Sequence, residues 1–269
     1  MNKIKHIIIS DIHGCYYEFK TLLKKLNFKI ENNSIISLDN NQRLILNGDL
    51  FDKNNDCNIT KTLILIYNTI VNETCDIILI KGNHDLMNYR FITDDPTLEL
   101  TEKRLKEKEL FYSTSIILEN SDKLKKYFLS IYDKMIPFYE SDDFICTHSP
   151  CETKHLGKFD NQSIKLQIKS ASRSKNKDKS LDELNGYLIE EANNNDKLHI
   201  FGHLGQDEVR RYKNKICIDT GCVYGKKLTA IIIEDGKIDY SEVKARETYT
   251  RRYFHHPLFS FLDEERNHA

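Results

Sequence analysis

Apolar residues recur along this chain at two spacings. IKHIIIS (4–10), RLILN (43–47) and DIILI (76–80) are short, β-branched-rich runs that read as buried strands. Between them, CYYEFKTLLKKL (15–26) sets Phe19, Leu22, Leu23 and Leu26 on one helical face, and ITKTLILIYNTIV (59–71) is a strongly apolar helix. Strands alternating with helices predict βαβ units and a largely parallel sheet over the N-terminal third. From Asp94 to about Lys134 the chain is charged and free of glycine, with helical spacing over 97–110 and 121–134. This predicts a helical insertion lying over the rim of the sheet. Beyond it, MIPFYE, DFICTHS, KLHIFGH, EVRRY, KICIDTG, KLTAIIIE and GKIDYSEV read as short strands. Two-residue connections at Lys213-Asn214 and Asp235-Gly236 predict antiparallel hairpins or a meander. Residues 161–195 hold one helical pattern, near 181–192, and a polar stretch rich in asparagine and lysine that reads as a loop. Tyr249, Tyr253, Phe254, Phe259 and Phe261 predict that the segment 245–269 packs on the core of one α/β domain spanning 1–269.

Charge and composition narrow the class. The 269 residues carry 40 basic and 41 acidic side chains, a net charge of −1. Extended duplex binding rests on many phosphate neutralisations, so this balance gives it no support. No export signal or membrane span is visible, and the seven cysteines include no CxxC pair. A reducing, cytoplasmic setting is the expectation. No pattern sets an oligomeric state.

With ten glycines and four prolines the chain uses its backbone-permissive residues sparingly, so their positions carry information. Gly14 (SDIHG), Gly48 (NGDLFD), Gly82 (KGNHD) and Gly202 (FGHLG) each follow a strand-like run, in breaks that also carry histidine, aspartate or asparagine. A fifth break, ICTHSP, puts His148 at a strand end without glycine. Singly, each has a plainer reading. Asp11 could cap the following helix, Asp49 could be a turn residue, and His84 or His148 could be satisfied without a ligand. Together they deliver carboxylate, imidazole and amide oxygen to strand ends, where α/β proteins build sites. That donor set suits manganese, iron or catalytic zinc. It exceeds the needs of one ion and fits two ions sharing one carboxylate, an arrangement that stabilises in-line displacement at phosphorus. A water between two such cations loses its proton near neutral pH and becomes the nucleophile of phosphate ester hydrolysis.

DIHG, GDLFD, GNHD, the TH of CTHSP and FGH, in this order, resemble the motif set of the calcineurin-like metallophosphoesterases, in the phosphoprotein-phosphatase branch. IDTGCVYGKKLTAI (218–231) resembles a segment of bacterial-type protein phosphatases and diadenosine tetraphosphatases. The resemblance implies an αββα sandwich of two mixed sheets with flanking helices. It implies that Asp11 and His13 bind a first metal, that Asp49 bridges, and that Asn83, His148 and His203 bind a second. His84, paired with Asp52, would protonate the leaving oxygen, the carboxylate orienting the imidazole. Lys53 stands where the family usually has a phosphate-binding arginine; it can attract phosphate without the bidentate fork. Arg173 is the candidate for a second such arginine, with Asn83 a further phosphate contact. Lys165, Lys169, Lys175 and Lys177 around it are either a solvated basic loop or a lure for a polyanion. GNHD replaces the family's GNHE, shortening one carboxylate beside the histidine.

The expected activity is hydrolysis of phosphomonoesters by a dinuclear-metal serine/threonine-type protein phosphatase. A same-chemistry alternative is hydrolysis of nucleotides, either dinucleoside polyphosphates or nucleic-acid-end phosphates. A remote one is a silent metal-binding scaffold, suggested by Lys53. Tyr16, Tyr17 and Tyr224, close to the motifs, would stack on a base or merely pack.

Overall fold

The computed structural model describes residues 4–98, 101–169 and 181–250; Arg173 and the chain beyond 250 lie outside them. The first part runs β1 (Lys5–Ile9), α1 (Tyr16–Lys25), β2 (Phe28–Glu31), β3 (Ser34–Ser37), β4 (Gln42–Asn47), α2 (Asp56–Val71) and β5 (Asp76–Ile80). Four helices follow, α3 (Asn83–Ile92), α4 (Glu102–Phe111), α5 (Ser113–Glu119) and α6 (Asp122–Lys134). Then come β6 (Phe138–Glu140), β7 (Phe144–Thr147), α7 (Asn161–Ile168), α8 (Leu181–Ala192) and β8 (Leu198–Phe201). The last strands are β9 (Arg210–Tyr212), β10 (Lys215–Cys217), β11 (Lys227–Glu234) and β12 (Lys237–Lys244).

Two mixed five-stranded sheets result, in the orders β12-β11-β1-β4-β5 and β6-β7-β8-β10-β9. β1, β4 and β5 pair in parallel, as the alternating pattern predicts, while β11 joins β1 antiparallel. The turns Lys213-Asn214 and Asp235-Gly236 close the antiparallel pairs β9-β10 and β11-β12. Period-2 alternation decides which face each strand residue serves. Ile8 and Ile45 meet Phe144, Cys146, Ile200 and Ile216 between the two sheets. Their neighbours Ile7, Ile9, Leu44 and Leu46 pack on the other face against Phe19, Leu22, Leu63 and Ile66 of α1 and α2. Leu188 and Ala192 of α8 cover Phe201 and Cys217 on the far side of the second sheet. The order of layers is therefore helix, sheet, sheet, helix.

Four features go beyond the sequence reading. The segment after Asp94 is helical, as the spacing predicts, and part of it is built into the core. Leu118, Phe128, Ile131 and Tyr132 of α5 and α6 are buried in the main helix-facing core, and α6 packs along α2. Helix α3 was not expected because polar side chains share its inward face: His84, Asp85 and Asn88 are buried beside Met87, Phe91 and Ile92 and blur the apolar period. Part of the polar stretch read as a loop is instead α7, capped by Asp160, whose side chain accepts from Ser163 N at 3.0 Å. The β2-β3 hairpin sits unannounced inside the first crossover.

Candidate metal centre and acid pair

Five strand ends from both sheets converge. The loop after β1 carries Asp11 and His13, that after β4 carries Asp49, Asp52 and Lys53, and β5 leads into Asn83 and His84 at the start of α3. From the second sheet, β7 ends at His148 and β8 leads to His203. Close approach at two of these ends requires glycine. A Cβ on Gly82 would collide with the backbone nitrogen and carboxylate of Asp49, and one on Gly202 with Ser10 Oγ and Asp11 Oδ2. Asp11, His13, Asp49, Asp52, Lys53 and His203 all have positive φ. Such strain in residues other than glycine costs free energy, is held by the surrounding structure, and gathers at functional sites.

Two donor groups share one carboxylate. Ligand atoms of Asp11, His13 and Asp49 lie within 4.8 Å of one another, and so do those of Asp49, His148 and His203. His13 Nδ1 donates to Phe51 O at 3.0 Å, which leaves Nε2 facing Asp49 Oδ2 at 3.6 Å and Asp11 Oδ1 at 4.0 Å. His148 is fixed the same way, Nδ1 donating to Asn47 O at 2.9 Å, with Nε2 3.2 Å from Asn83 Oδ1 and 3.3 Å from Asp49 Oδ1. The carbonyl partners thus set both imidazole tautomers. Asp11 does not cap α1: the N-cap is Cys15, and Asp11 Oδ2 accepts from Ser10 Oγ at 2.5 Å and His203 N at 3.0 Å.

The electrostatics call for a cation. Burial, and then Asp219, push the Asp11 carboxyl well above its usual range. Burial and Asp49 raise Asp85 to about 7, and burial raises Asp219. Asp49 is held well below the usual range: burial opposes its charge, but the His148 and His84 imidazoles outweigh it. Burial also opposes charge on His148, yet Asp49 and Asp11 lift it to about 10. Burial and Lys53 push His13 well down, leaving a neutral imidazole lone pair. Lys53 Nζ sits 3.2 Å from that Nε2, so a positive charge already faces it. Carboxylate and imidazole donors in both groups, with the Asn83 amide oxygen beside the second, fit divalent ions, which bind an imidazole by displacing its proton.

Beside the first group stands the His84–Asp52 pair. His84 Nδ1 lies 2.9 Å from Asp52 Oδ2, and its ring is edge-on to His13 with centroids 5.1 Å apart. Asp52 accepts further from Asn88 Nδ2 at 2.6 Å and Thr114 N at 2.9 Å, so its carboxylate is fixed from two elements, α3 and α5. Lys53 also lies over Tyr224, 5.7 Å from the ring centroid. Tyr16 and Tyr224 pack against the main core, while Tyr17 is largely exposed.

The structure thus brings Asp11, His13, Asp49, Asp52, Lys53, Asn83, His84, His148 and His203 together. Sequence reasoning passed over Ser10, Asp219, Asn88 and Thr114, common polar types, of which Asn88 and Thr114 make contacts far from local. Asp85 carried a usable signal, an acid at the third helical position. Its carboxylate accepts from Gly82 N at 3.0 Å, Asp49 N at 2.8 Å and Leu50 N at 3.3 Å, lashing the β4 and β5 loops together. The aspartate in GNHD therefore has its own structural use.

Fold and site together describe a metallophosphoesterase, and comparison with known proteins agrees on the class. The calcineurin-like phosphoesterase family model matches residues 4–241, and the chain belongs to that family of metal-dependent hydrolases. It is 28% identical over 230 residues to the asymmetrical bis(5'-nucleosyl)-tetraphosphatase PrpE of Oceanobacillus iheyensis, covering 83% of this chain and 86% of that one. Among solved structures, the cold-active protein-tyrosine phosphatase of a Shewanella species superposes with a TM-score of 0.57 at 15% identity, over 91% of this chain and 81% of the other. A putative diadenosine tetraphosphatase superposes with a TM-score of 0.54 at 17% identity, over 90% and 97%. These two superpositions speak for the fold. Among the described residues no helix is long and apolar enough to cross a membrane.

Proposed function

We propose that this phosphoesterase hydrolyses nucleotides, with a dinucleoside tetraphosphate as substrate cut asymmetrically into a mononucleotide and a nucleoside triphosphate. The observation that carries the chemistry is the pair of donor groups sharing Asp49, with His84 and Asp52 against one of them. The relative named for this activity supports the substrate class, and its match spans most of both chains. That support moves the nucleotide reading ahead of the phosphoprotein one favoured by the motifs.

In this reading Asp11, His13 and Asp49 hold one divalent ion, and Asp49, Asn83, His148 and His203 hold a second. Bound there, manganese, iron or zinc would supply Lewis acidity toward a phosphoryl oxygen. The chain's own residues do the rest. Lys53, and the amide nitrogen of Asn83, attract and hold a substrate phosphate. Asp52 keeps the proton of its pair on His84 Nδ1, and the opposite ring nitrogen, when protonated, donates to the departing oxygen. Arg173 is proposed to add a phosphate contact from outside the described residues.

Diadenosine tetraphosphate, a phosphoserine peptide and a 3′-phosphorylated oligonucleotide, each supplied with manganese, test the assignment. The expected result is fastest turnover of the dinucleotide, with AMP and ATP resolved by anion exchange. Turnover of the peptide alone would return the assignment to a protein phosphatase. Two ADP as products would overturn the asymmetric cut.

A further inference from the structure

A second set of donors lies behind the β1–α1 loop, away from the shared carboxylate. Cys15 is the N-cap of α1, Glu18 stands in its first turn, and Cys222 opens the 3₁₀ turn 222–224. A sulfur from each cysteine and a carboxylate oxygen of Glu18 lie within 4.8 Å of one another. The three residues are 0%, 2% and 1% exposed, in the order Cys15, Cys222, Glu18. Both cysteines are free thiols.

Glu18 is the anomaly. Its Oε1 accepts from Arg246 N at 2.7 Å and Tyr249 Oη at 2.8 Å, while Oε2 is buried without a hydrogen-bond partner. A buried carboxylate oxygen left unmatched is costly, and a cation is the partner that would remove the cost. Cys15 Sγ lies 3.9 Å from His13 O and accepts from Asn54 Nδ2 at 3.6 Å, and Asn54 Nδ2 also donates to His13 O at 3.3 Å.

We infer that Cys15, Glu18 and Cys222 bind a structural divalent ion of the zinc type, distinct from the phosphoesterase metals. Two sulfurs and a carboxylate match zinc's preference for sulfur and suit it better than manganese, whose harder character fits the imidazole and carboxylate groups nearby. Sulfur-to-zinc bonds are about 2.3 Å, so the three donors close on an ion by small side-chain movements, with a water or backbone oxygen completing the tetrahedron. Binding releases the two thiol protons to solvent. The ion would join three parts of the chain: the start of α1, just after Asp11 and His13; the turn following Asp219; and, through Glu18, the segment at 246–249.

Cobalt(II) tests this independently of the substrate. Sulfur bound to cobalt gives an intense near-ultraviolet charge-transfer band that imidazole and carboxylate ligands do not. Full-length protein is titrated with cobalt under a phosphine reductant, and bound metal is counted by elemental analysis. The wild type should show the band. Cys15→Ser and Cys222→Ser should each cut it to about half or less and weaken binding, and the double variant should abolish it and lose about one equivalent of cobalt, since a structural site takes one ion. Glu18→Gln should keep the band and weaken the binding. Asp49→Asn should lose cobalt while retaining the band. Circular dichroism reports folding, and Glu18→Gln, which preserves shape, stands in for a serine variant that fails to fold. No sulfur band at saturating cobalt would overturn the inference. So would a band undiminished in Cys222→Ser or retained in the double cysteine variant, a Glu18→Gln titration identical to wild type, or a Cys15–Cys222 disulfide found by mass.

Discussion

At the scale of single residues, the polarity of each imidazole is decided by what it touches on the far side. His13 and His148 donate to backbone carbonyls, whereas His84 faces a carboxylate that two further donors hold. In the proposed reading this separates ligands from acid, and the separation is measurable. The departing group of a nucleotide anhydride is a phosphate oxygen, which needs less help from a proton than a serine alkoxide does. His84→Ala should slow hydrolysis of an alkyl phosphate by roughly 10²–10⁴-fold and that of diadenosine tetraphosphate by less. Manganese content by elemental analysis should stay unchanged. Equal slowing on both substrates, or loss of metal in step with rate, would remove the acid role. Asp11, His13, Asp49, His84, His148 and His203 were legible because their types carry chemistry and each follows a strand-like run, whereas Asp52, Lys53 and the role of Asn83 came from the family resemblance. Asn88 and Thr114 were not legible, since they meet Asp52 from 36 and 62 residues away. Nothing local distinguishes them from surface polar residues.

At the scale of elements, short helices matter more than their length suggests. Helix α5 holds seven residues, too few for periodicity to reveal, yet its first turn grips the acid pair. Thr114 donates its backbone N–H to Asp52 Oδ1, and its Oγ1 accepts from Asp52 N at 3.0 Å. Thr114→Val keeps the shape and removes the hydroxyl. The buried N–H of Asp52 is then unpaired, at a cost of about 1–3 kcal/mol. Urea denaturation should register that loss, with a fall in kcat and an unchanged KM as Asp52 loosens. An unaltered denaturation midpoint would show that water replaces the hydroxyl. The strands of the first sheet were readable because Ile, Val and Leu runs are bounded by polar breaks. The reading failed at α3, where buried polar residues blur the apolar period. The spacing over 121–134 did predict α6, though not that Phe128 and Ile131 would join the core, and the seven residues of α5 went unread.

At the scale of the molecule, the two sheets are joined at the site as well as through their apolar faces. Asn47 Nδ2 donates to Thr147 O at 2.9 Å while Asn47 O accepts from His148, so β4 and β7 are locked end to end. Four buried carboxyls, Asp11, Asp49, Asp85 and Asp219, crowd that junction, and without a cation burial pushes three of them toward their neutral forms. Ions that bind only the folded chain stabilise it by mass action. Chelator-treated protein should therefore melt at a lower temperature in calorimetry, and manganese should restore the midpoint. In Asp49→Asn, where both groups lose their common ligand, the gap between treated and untreated protein should narrow. An undiminished gap would mean that the stabilising metal sits elsewhere.

The hydrogen bond from His203 N to Asp11 Oδ2 spans 192 residues of chain. A ribosome delivers Asp11 192 residues before His203. During that interval β1, β4 and β5 can pair with one another while the loop after β1 still lacks its partner from the second sheet. The two sheets can be clasped at this point only once β8 and the loop that follows it are in place.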